Sequence, residues 1–218
     1  MSRRDAFRKV KQETNESLPE ISEWSRIDKS HHPDRFINYL RDVSKLEFIR
    51  TNKLYSYHML NLKKGDRVLD VGCGLGHDVM ALGDLVGKEG LAVGVDRSGR
   101  MIEFAKKRIG SRENVRFEVS TIETLPFPTS EFDACRCERL FVHLQNPRRA
   151  LSEIVRVAKS GGLVHVIDVD WETLVVDSGY RQLTRALLNL KCDTIPQGWM
   201  GRQLPGLFSE AGLGNNCA

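Results

Sequence analysis

At 218 residues, with 40% hydrophobic and 28% charged side chains, the chain has the composition of one globular domain with a single well-buried core. A net charge of +4, from 33 basic and 29 acidic residues spread along the chain, is too small to mark a nucleic-acid partner, and the basic cluster Arg3, Arg4, Arg8, Lys9 and Lys11 reads as a solvated terminus. No apolar run approaches the roughly 20 residues of a membrane-spanning helix and the polar start lacks the apolar core of a secretory signal, so a soluble, cytoplasmic protein is expected.

The chain opens with a polar stretch and a His31-His32-Pro33 break. Apolar residues Phe36, Ile37, Leu40, Val43, Leu46, Ile49, Leu54 and Tyr57 then recur mostly at three- and four-residue steps, which predicts one long helix from about Asp34 to Leu60. Residues 1–60 are therefore read as a helical extension or lid over one end of a sheet, and residues 61–218 as the ligand-binding domain.

From residue 66 short β-rich runs alternate with helical stretches. The predicted strands are Arg67–Val71, Leu91–Asp96, Val115–Val119, Phe132–Arg136 and Leu163–Asp168; the predicted helices are Gly76–Leu85, Gly99–Ile109 behind an N-cap at Ser98, and Pro147–Val157. Pro126 and Pro128 fix the turn before the fourth strand, and Ser160-Gly161-Gly162 is read as the stop of the helix before the fifth. An acidic, aromatic loop at Asp168–Glu172 leads to a helix near Tyr180–Leu190 and another at Trp199–Phe208. The alternation predicts an α/β fold: a Rossmann-like, doubly wound, mostly parallel sheet with helices on both faces. Leu207–Ala218 leaves little room for further strands and its ending Gly212–Ala218 has turn composition, so the C-terminal strands are expected to be missing or shortened.

Five cysteines, Cys73, Cys135, Cys137, Cys192 and Cys217, form an odd set with no CxxC pair, which suggests neither a zinc site nor a complete disulfide framework. Cys135 and Cys137 share one face of a strand and read as small buried hydrophobes.

Four features fall in the order that a nucleoside-type ligand requires at the carboxyl ends of parallel strands. The first is the turn Asp70-Val71-Gly72-Cys73-Gly74-Leu75-Gly76, whose glycines let the backbone bend sharply and approach a ligand. Its spacing is G-x-G-x-G, and His77 stands where a dinucleotide-binding turn has its last glycine, which argues against NAD. The second is Asp96, ending the second strand, either as acceptor for two ribose hydroxyls or as cap of the turn into Ser98. The third is Met101, a polarizable thioether that either packs on an adenine face or sits in the core. The fourth is the loop after the third strand, where Thr121, the Ile122 backbone and Glu123 are candidates for an adenine edge.

In these residues the chain resembles the class I S-adenosylmethionine-dependent methyltransferases, particularly the branch with quinone-biosynthesis and small-molecule C- and O-methyltransferases. The likeness covers roughly residues 34–175: VLDVGCGLGHD is similar to the family's first motif, AVGVDRSGRMIEFAKKR to its second, and TLPFPTSEFDACRCERLFVHLQNPRRAL with RVAKSGGLVHVIDVD to the later ones. The resemblance implies S-adenosylmethionine as cofactor and S-adenosylhomocysteine as product. Asp70, Gly72, Cys73, Gly74, Gly76 and Glu138 would lie at the methionine end, Asp96 with Arg97 at the ribose, and Met101, Thr121, Ile122 and Glu123 around the adenine. The family usually carries an aspartate or glutamate at the position of Thr121, so this chain departs from the pattern there.

Methyl transfer from a sulfonium is an in-line displacement, and a base is needed only where the nucleophile must lose a proton. Glu138, Arg139 and His143 stand near the end of the fourth strand, with His143 best suited by type to be that base, or else a structural histidine. Tyr39, Tyr55, His58 and Trp171 are candidate walls for a small-molecule acceptor. A non-catalytic or truncated cofactor-binding module and an NAD-dependent oxidoreductase are the alternative readings, and the oligomeric state is left open.

Overall fold

Runs of Val, Leu, Ala and Cys short enough to be covered on both faces form five strands: β1 (Arg67–Val71), β2 (Leu91–Asp96), β3 (Val115–Val119), β4 (Phe132–Glu138) and β5 (Ala158–Ile167). The computed structural model describes residues 21–214, so the N-terminal basic cluster and Cys217 lie outside the described residues. All strand pairs are parallel, in the order β3-β2-β1-β4-β5. The chain thus runs outward from β1 to β3 and then crosses back to β4. The order reverses between β1 and β4, and the crevice outside the carboxyl ends of strands at such a point is where open α/β sheets hold ligands.

The two-residue side-chain period sorts each strand into two cores. Val68, Ala92, Phe117 and Ala134 face α3 (His77–Val86) and α4 (Gly99–Ile109), which follow α1 (Asp34–Val43) and α2 (Glu47–Met59) in the chain. Leu69, Val71, Val93, Val95, Cys135 and Cys137 face α5 (Pro147–Val157) and, after α6 (Arg181–Thr194), the apolar side of α7 (Met200–Glu210). Cys135 and Cys137 are fully buried there. Ser98 caps α4 by accepting from Met101 N at 3.2 Å, and Asn146 caps α5 by accepting from Arg149 N at 3.0 Å.

A third, smaller core of Ile27, Phe36, Leu75 and Met101 joins the glycine turn and α4 to α1 and to a 3₁₀ segment at Ile21–Lys29. The sequence pattern did not predict that segment. Instead of one long helix, two helices break at Ser44–Leu46, where Ser44 Oγ donates to Arg41 O at 2.7 Å and Leu46 turns extended (ψ 129°). Leu46 and Leu54, read as part of the buried stripe, are 48% and 67% exposed. The glycines Gly161 and Gly162 do not stop α5 either: the helix ends at Val157, β5 begins at Ala158, and Gly161 (φ +77°) lies where the register with β4 shifts. That pair is a bulge inside a strand, and a Cβ on Gly162 would come within 2.9 Å of Asp133 O. β4 also runs on past Arg136 to Glu138. Among the described residues no strand follows β5.

Two glycines test this packing. Gly76 and Gly110 both adopt left-handed φ (+72° and +68°), but a Cβ at Gly76 would lie 2.7 Å from the Phe117 ring whereas one at Gly110 meets nothing within 4 Å. Gly110→Ala, on a backbone (φ +68°, ψ −160°) that essentially only glycine adopts, is expected to cost about 1–3 kcal/mol from strain alone, and Gly76→Ala about 1–2 kcal/mol from left-handed strain plus about 1–3 kcal/mol from overpacking. Urea midpoints measure both, and a Gly76→Ala loss no larger than its strain alone would contradict the packing role.

Candidate active site

The turn after β1 is built from backbone that only glycine adopts readily: Gly72 (φ +77°), Gly74 (φ +49°) and Gly76 (φ +72°) are all left-handed. Gly72 N and Cys73 N donate to Val95 O at 2.8 and 2.9 Å, tying the turn to the end of β2. The next amide, Gly74 N, donates to Asp96 Oδ2 at 3.0 Å, while Ser98 N donates to Asp96 Oδ1 at 2.9 Å. Asp96 is thereby locked with one amide per oxygen, and each oxygen keeps a lone pair for a further donor. Burial pushes its pKa up against the opposing pull of those amides. A ribose presents two adjacent hydroxyls, and this carboxylate has the free acceptor positions to take them. The fit also holds at the glycines: a Cβ on Gly72 would press on Leu140 at 3.0 Å and one on Gly74 on Leu40 at 3.3 Å, so side chains there would fill the cradle. Gly76 serves packing against Phe117 and Ala105.

Below the turn lies an ion network on the α2 and α3 side of the sheet. Arg136, 1% exposed in the middle of β4, donates from Nη1 to Asp70 Oδ1 (2.9 Å), from Nε to Ser56 Oγ (3.1 Å), and from Nη2 to Glu138. Its guanidinium carbon stands 5.4 Å from the Tyr57 ring centroid. Tyr57 OH donates to Asp78, and Lys53 Nζ donates to both Asp78 and Glu138, the latter at 3.1 Å. Burial raises the pKa of Asp70 against the pull of Arg136. For Asp78 and Glu138 burial also acts upward, but the Arg136 and Lys53 cations overcome it and hold both carboxyls low. Sequence reasoning picked out Asp70 and Glu138 and missed Arg136, Lys53 and Tyr57. The available signal was a charge inside the apolar run Ala134–Cys137, in register with Asp70.

The remaining predicted residues separate. Met101 is 1% exposed within the Ile27–Phe36–Leu75 core, and Arg97 is exposed. Thr121 is exposed, Ile122 is buried, and the half-buried Glu123 accepts on its carbonyl from Arg149 Nε at 3.3 Å. His143 sits on the 3₁₀ turn Phe141–His143 after β4, its ring centroid 6.1 Å from that of Trp24, which also packs against Tyr39 at 5.6 Å. His143 Nδ1 is buried and has no hydrogen-bond partner among the described residues, and burial lowers its pKa to about 4. Asp168 anchors this turn, accepting from Val142 N (3.0 Å) and Val169 N (2.8 Å), and burial raises its pKa to about 6. Tyr55 and His58 are exposed on α2, and Trp171 stacks under Lys191 Nζ at 4.1 Å. Asp28, unmarked in the sequence, takes Ser98 Oγ and Gly99 N (2.9 Å) and so ties the N-terminal segment to the start of α4. Among the described residues no group of three or more His, Cys, Asp or Glu side chains could hold a metal ion, and no helix is long and apolar enough to cross a membrane.

A glycine turn and an amide-locked acidic residue at the carboxyl ends of β1 and β2 coincide with a family model described as a methyltransferase domain, which matches residues 62–211. The chain belongs to the class I S-adenosylmethionine-dependent methyltransferases. Members of this family similar to it include a demethylmenaquinone methyltransferase of Staphylococcus epidermidis, 32% identical over 56% of this chain and 52% of that protein. A 37.1 kDa protein in a Streptomyces fradiae transposon is 32% identical over 86% of this chain and 54% of its own length. The chain thus spans about half the length of these curated relatives. The crystal structure of YcgJ from Bacillus subtilis superposes with a TM-score of 0.59 at 26% identity, covering 74% of this chain and 68% of that one.

The setting of His143 fixes its titration. Because burial disfavours the imidazolium, His143 stays neutral as pH falls through the ordinary histidine range and gains its proton only near pH 4. Histidine-resolved NMR titration should show this resonance unmoved between pH 7 and 5. A midpoint near 6.5 would contradict the buried, unpartnered geometry.

Proposed function

We propose that the chain binds S-adenosylmethionine at the carboxyl ends of β1 and β2 and transfers its methyl group to a small-molecule oxygen or carbon acceptor. The observation that carries this reading is the Asp96 carboxylate, pinned by Gly74 N and Ser98 N with a free acceptor position on each oxygen. In the proposed complex Asp96 takes the ribose hydroxyls, Gly72, Cys73 and Gly74 let the methionine end approach the backbone, and Ile122 with Thr121 and Glu123 borders the adenine. Within the expected 1–60 extension, the described residues 21–60 are assigned as the cover, since Leu40, Phe36 and Ile27 lie over the turn and Met101.

The bound cofactor supplies an activated methyl group; the chain has to align the acceptor and keep water out. The turn Phe141–His143 lies beyond β4 beneath Trp24, so an acceptor there would meet an aromatic ceiling and the unspent Nδ1 of His143. A neutral imidazole accepts the hydrogen bond of an acceptor hydroxyl or enol and orients its lone pair toward the methyl group. That a relative is a demethylmenaquinone methyltransferase supports an acceptor of this ionisable, small-molecule kind.

Calorimetry with S-adenosylhomocysteine and with NAD tests the cofactor: the thioether nucleoside should bind and NAD should not. Asp96→Ala is expected to weaken S-adenosylhomocysteine by about 1.5–3 kcal/mol, the scale of a hydrogen bond to a charged group. Unchanged affinity would remove the ribose assignment. Turnover of a methyl donor over a panel of phenols, quinols and amines tests catalysis, and His143→Gln should lower turnover of the hydroxyl acceptors about a hundredfold. Methylation that is indifferent to this substitution would assign His143 to packing.

A further inference from the structure

The 3₁₀ segment Ile21–Lys29 is anchored at two places on opposite sides of β1. At one end Asp28 stands at the start of α4, past the end of β2, where its carboxylate accepts from Ser98 Oγ and, at 2.9 Å, from Gly99 N. Ser98 is 2% exposed and its own amide donates to Asp96 Oδ1, so the two carboxylates meet on one residue. At the other end Trp24 packs against His143 in the turn after β4, with ring centroids 6.1 Å apart, and edge-on against Phe36 at 5.1 Å. Between these anchors the buried Ile27 shares a core with Phe36, Leu75 and Met101, so the segment passes over the glycine turn that follows β1. In the order β3-β2-β1-β4-β5 the attachment points lie beyond β2 and beyond β4, and the crossing lies beyond β1. The segment therefore spans the crevice at the point where the strand order reverses.

Nine residues is long for a 3₁₀ helix, whose poorly aligned hydrogen bonds give such a run little stability of its own. Its position therefore depends on its anchors. Ile27 and Trp24 are apolar and non-directional, whereas Asp28 makes a directional, charge-assisted pair of bonds to the positive end of α4, at an exposed position where water can replace them. Building on the cofactor reading above, we propose that Ile21–Lys29 is a strap over the cofactor crevice, clasped at Asp28, and that the clasp opens for the cofactor to enter and to leave. Asp28 stands beside the carboxylate assigned to the ribose and spends its own oxygens on the protein. The clasp then holds the strap equally with and without cofactor, so its strength sets the rates of exchange and cancels from the affinity.

The test is stopped-flow binding and release of S-adenosylhomocysteine, followed by tryptophan fluorescence, with calorimetry for the affinity and thermal melting for the fold. It compares the wild-type chain with Asp28→Asn, Asp28→Ala and the double variant Asp28→Cys, Gly99→Cys. A Cβ at Gly99 would lie 3.6 Å from Asp28 Oδ2, so side chains at these two positions meet. Asp28→Ala should raise the association and dissociation rates together by about tenfold, the scale of a lost hydrogen bond to a charged group, with Kd within about threefold of wild type. Asp28→Asn should fall between the two. Oxidation of the double variant should slow both rates below those of wild type, and reductant should raise both above them. A dissociation rate that rises alone in Asp28→Ala would make Asp28 a ligand contact or a support for Asp96. Rates unchanged in Asp28→Ala, or unmoved by oxidation of the double variant, would make the segment a fixed wall; each of these results overturns the proposal. If Asp28→Ala does not fold, the double variant decides alone. Failure of the wild-type chain to bind S-adenosylhomocysteine would remove the cofactor reading itself, and the strap with it.

Discussion

A guanidinium in the middle of a parallel sheet has to be paired from every direction it faces, and Arg136 imposes that requirement on four elements. Asp70 answers from β1, Glu138 from the end of β4, Ser56 and Tyr57 from α2, and Asp78 from the first turn of α3. Leaving such a charge without a partner costs about 3–5 kcal/mol, so α2 and α3 are held against this face by more than their apolar contacts. Lys53 extends the same network to the surface. α2 is thus joined to β4 and α3 by charge as well as by packing.

The second constraint is the coupling of β1 and β2 at their carboxyl ends. Val95 O accepts the two amides that open the glycine turn, and the side chain of the next residue, Asp96, accepts the amide of Gly74. Strand end, turn and the start of α4 become one rigid unit, to which Asp28 adds the N-terminal segment. Preorganisation of this kind would remove ordering cost from the proposed binding of a diol, since each Asp96 oxygen is already held by one amide. The turn after β4 is arranged differently: Asp168 holds the turn that carries His143, and the Trp24 ring packs against the imidazole.

Much of this was legible in the sequence because it rests on short-range rules. The bounds of β1, β2 and β3 follow from apolar runs closed by turn residues, and the cap at Ser98 follows from its side chain. The glycine turn and Asp96 were legible as a constellation because their spacing along βαβ is set by the sheet itself. What was not legible depends on partners distant in sequence. Arg136 resembled the end of an apolar strand, since nothing local reveals that Asp70 lies beside it on β1 and Ser56 above it on α2. The helical period from Asp34 to Leu60 suggested one continuous face, yet Ser44 ends the first helix with its own hydroxyl and α2 turns Lys53, Ser56 and Tyr57 toward the sheet. Gly161 and Gly162 carried a helix-stop signal that the bulged pairing of β4 and β5 uses instead within the strand. The segment Ile21–Lys29 has a polar composition, and only the packing of Ile27 and Trp24 on residues from later in the chain places it over the crevice.

The central claim is that a nucleoside is read by a carboxylate which the backbone has already locked. A crystal structure of the complex with S-adenosylhomocysteine tests it most directly. Both ribose hydroxyls should lie within hydrogen-bond distance of Asp96, with the bonds from Gly74 N and Ser98 N retained. A ligand seated away from Asp96, or an Asp96 side chain that has abandoned those two amides to reach it, would contradict that claim.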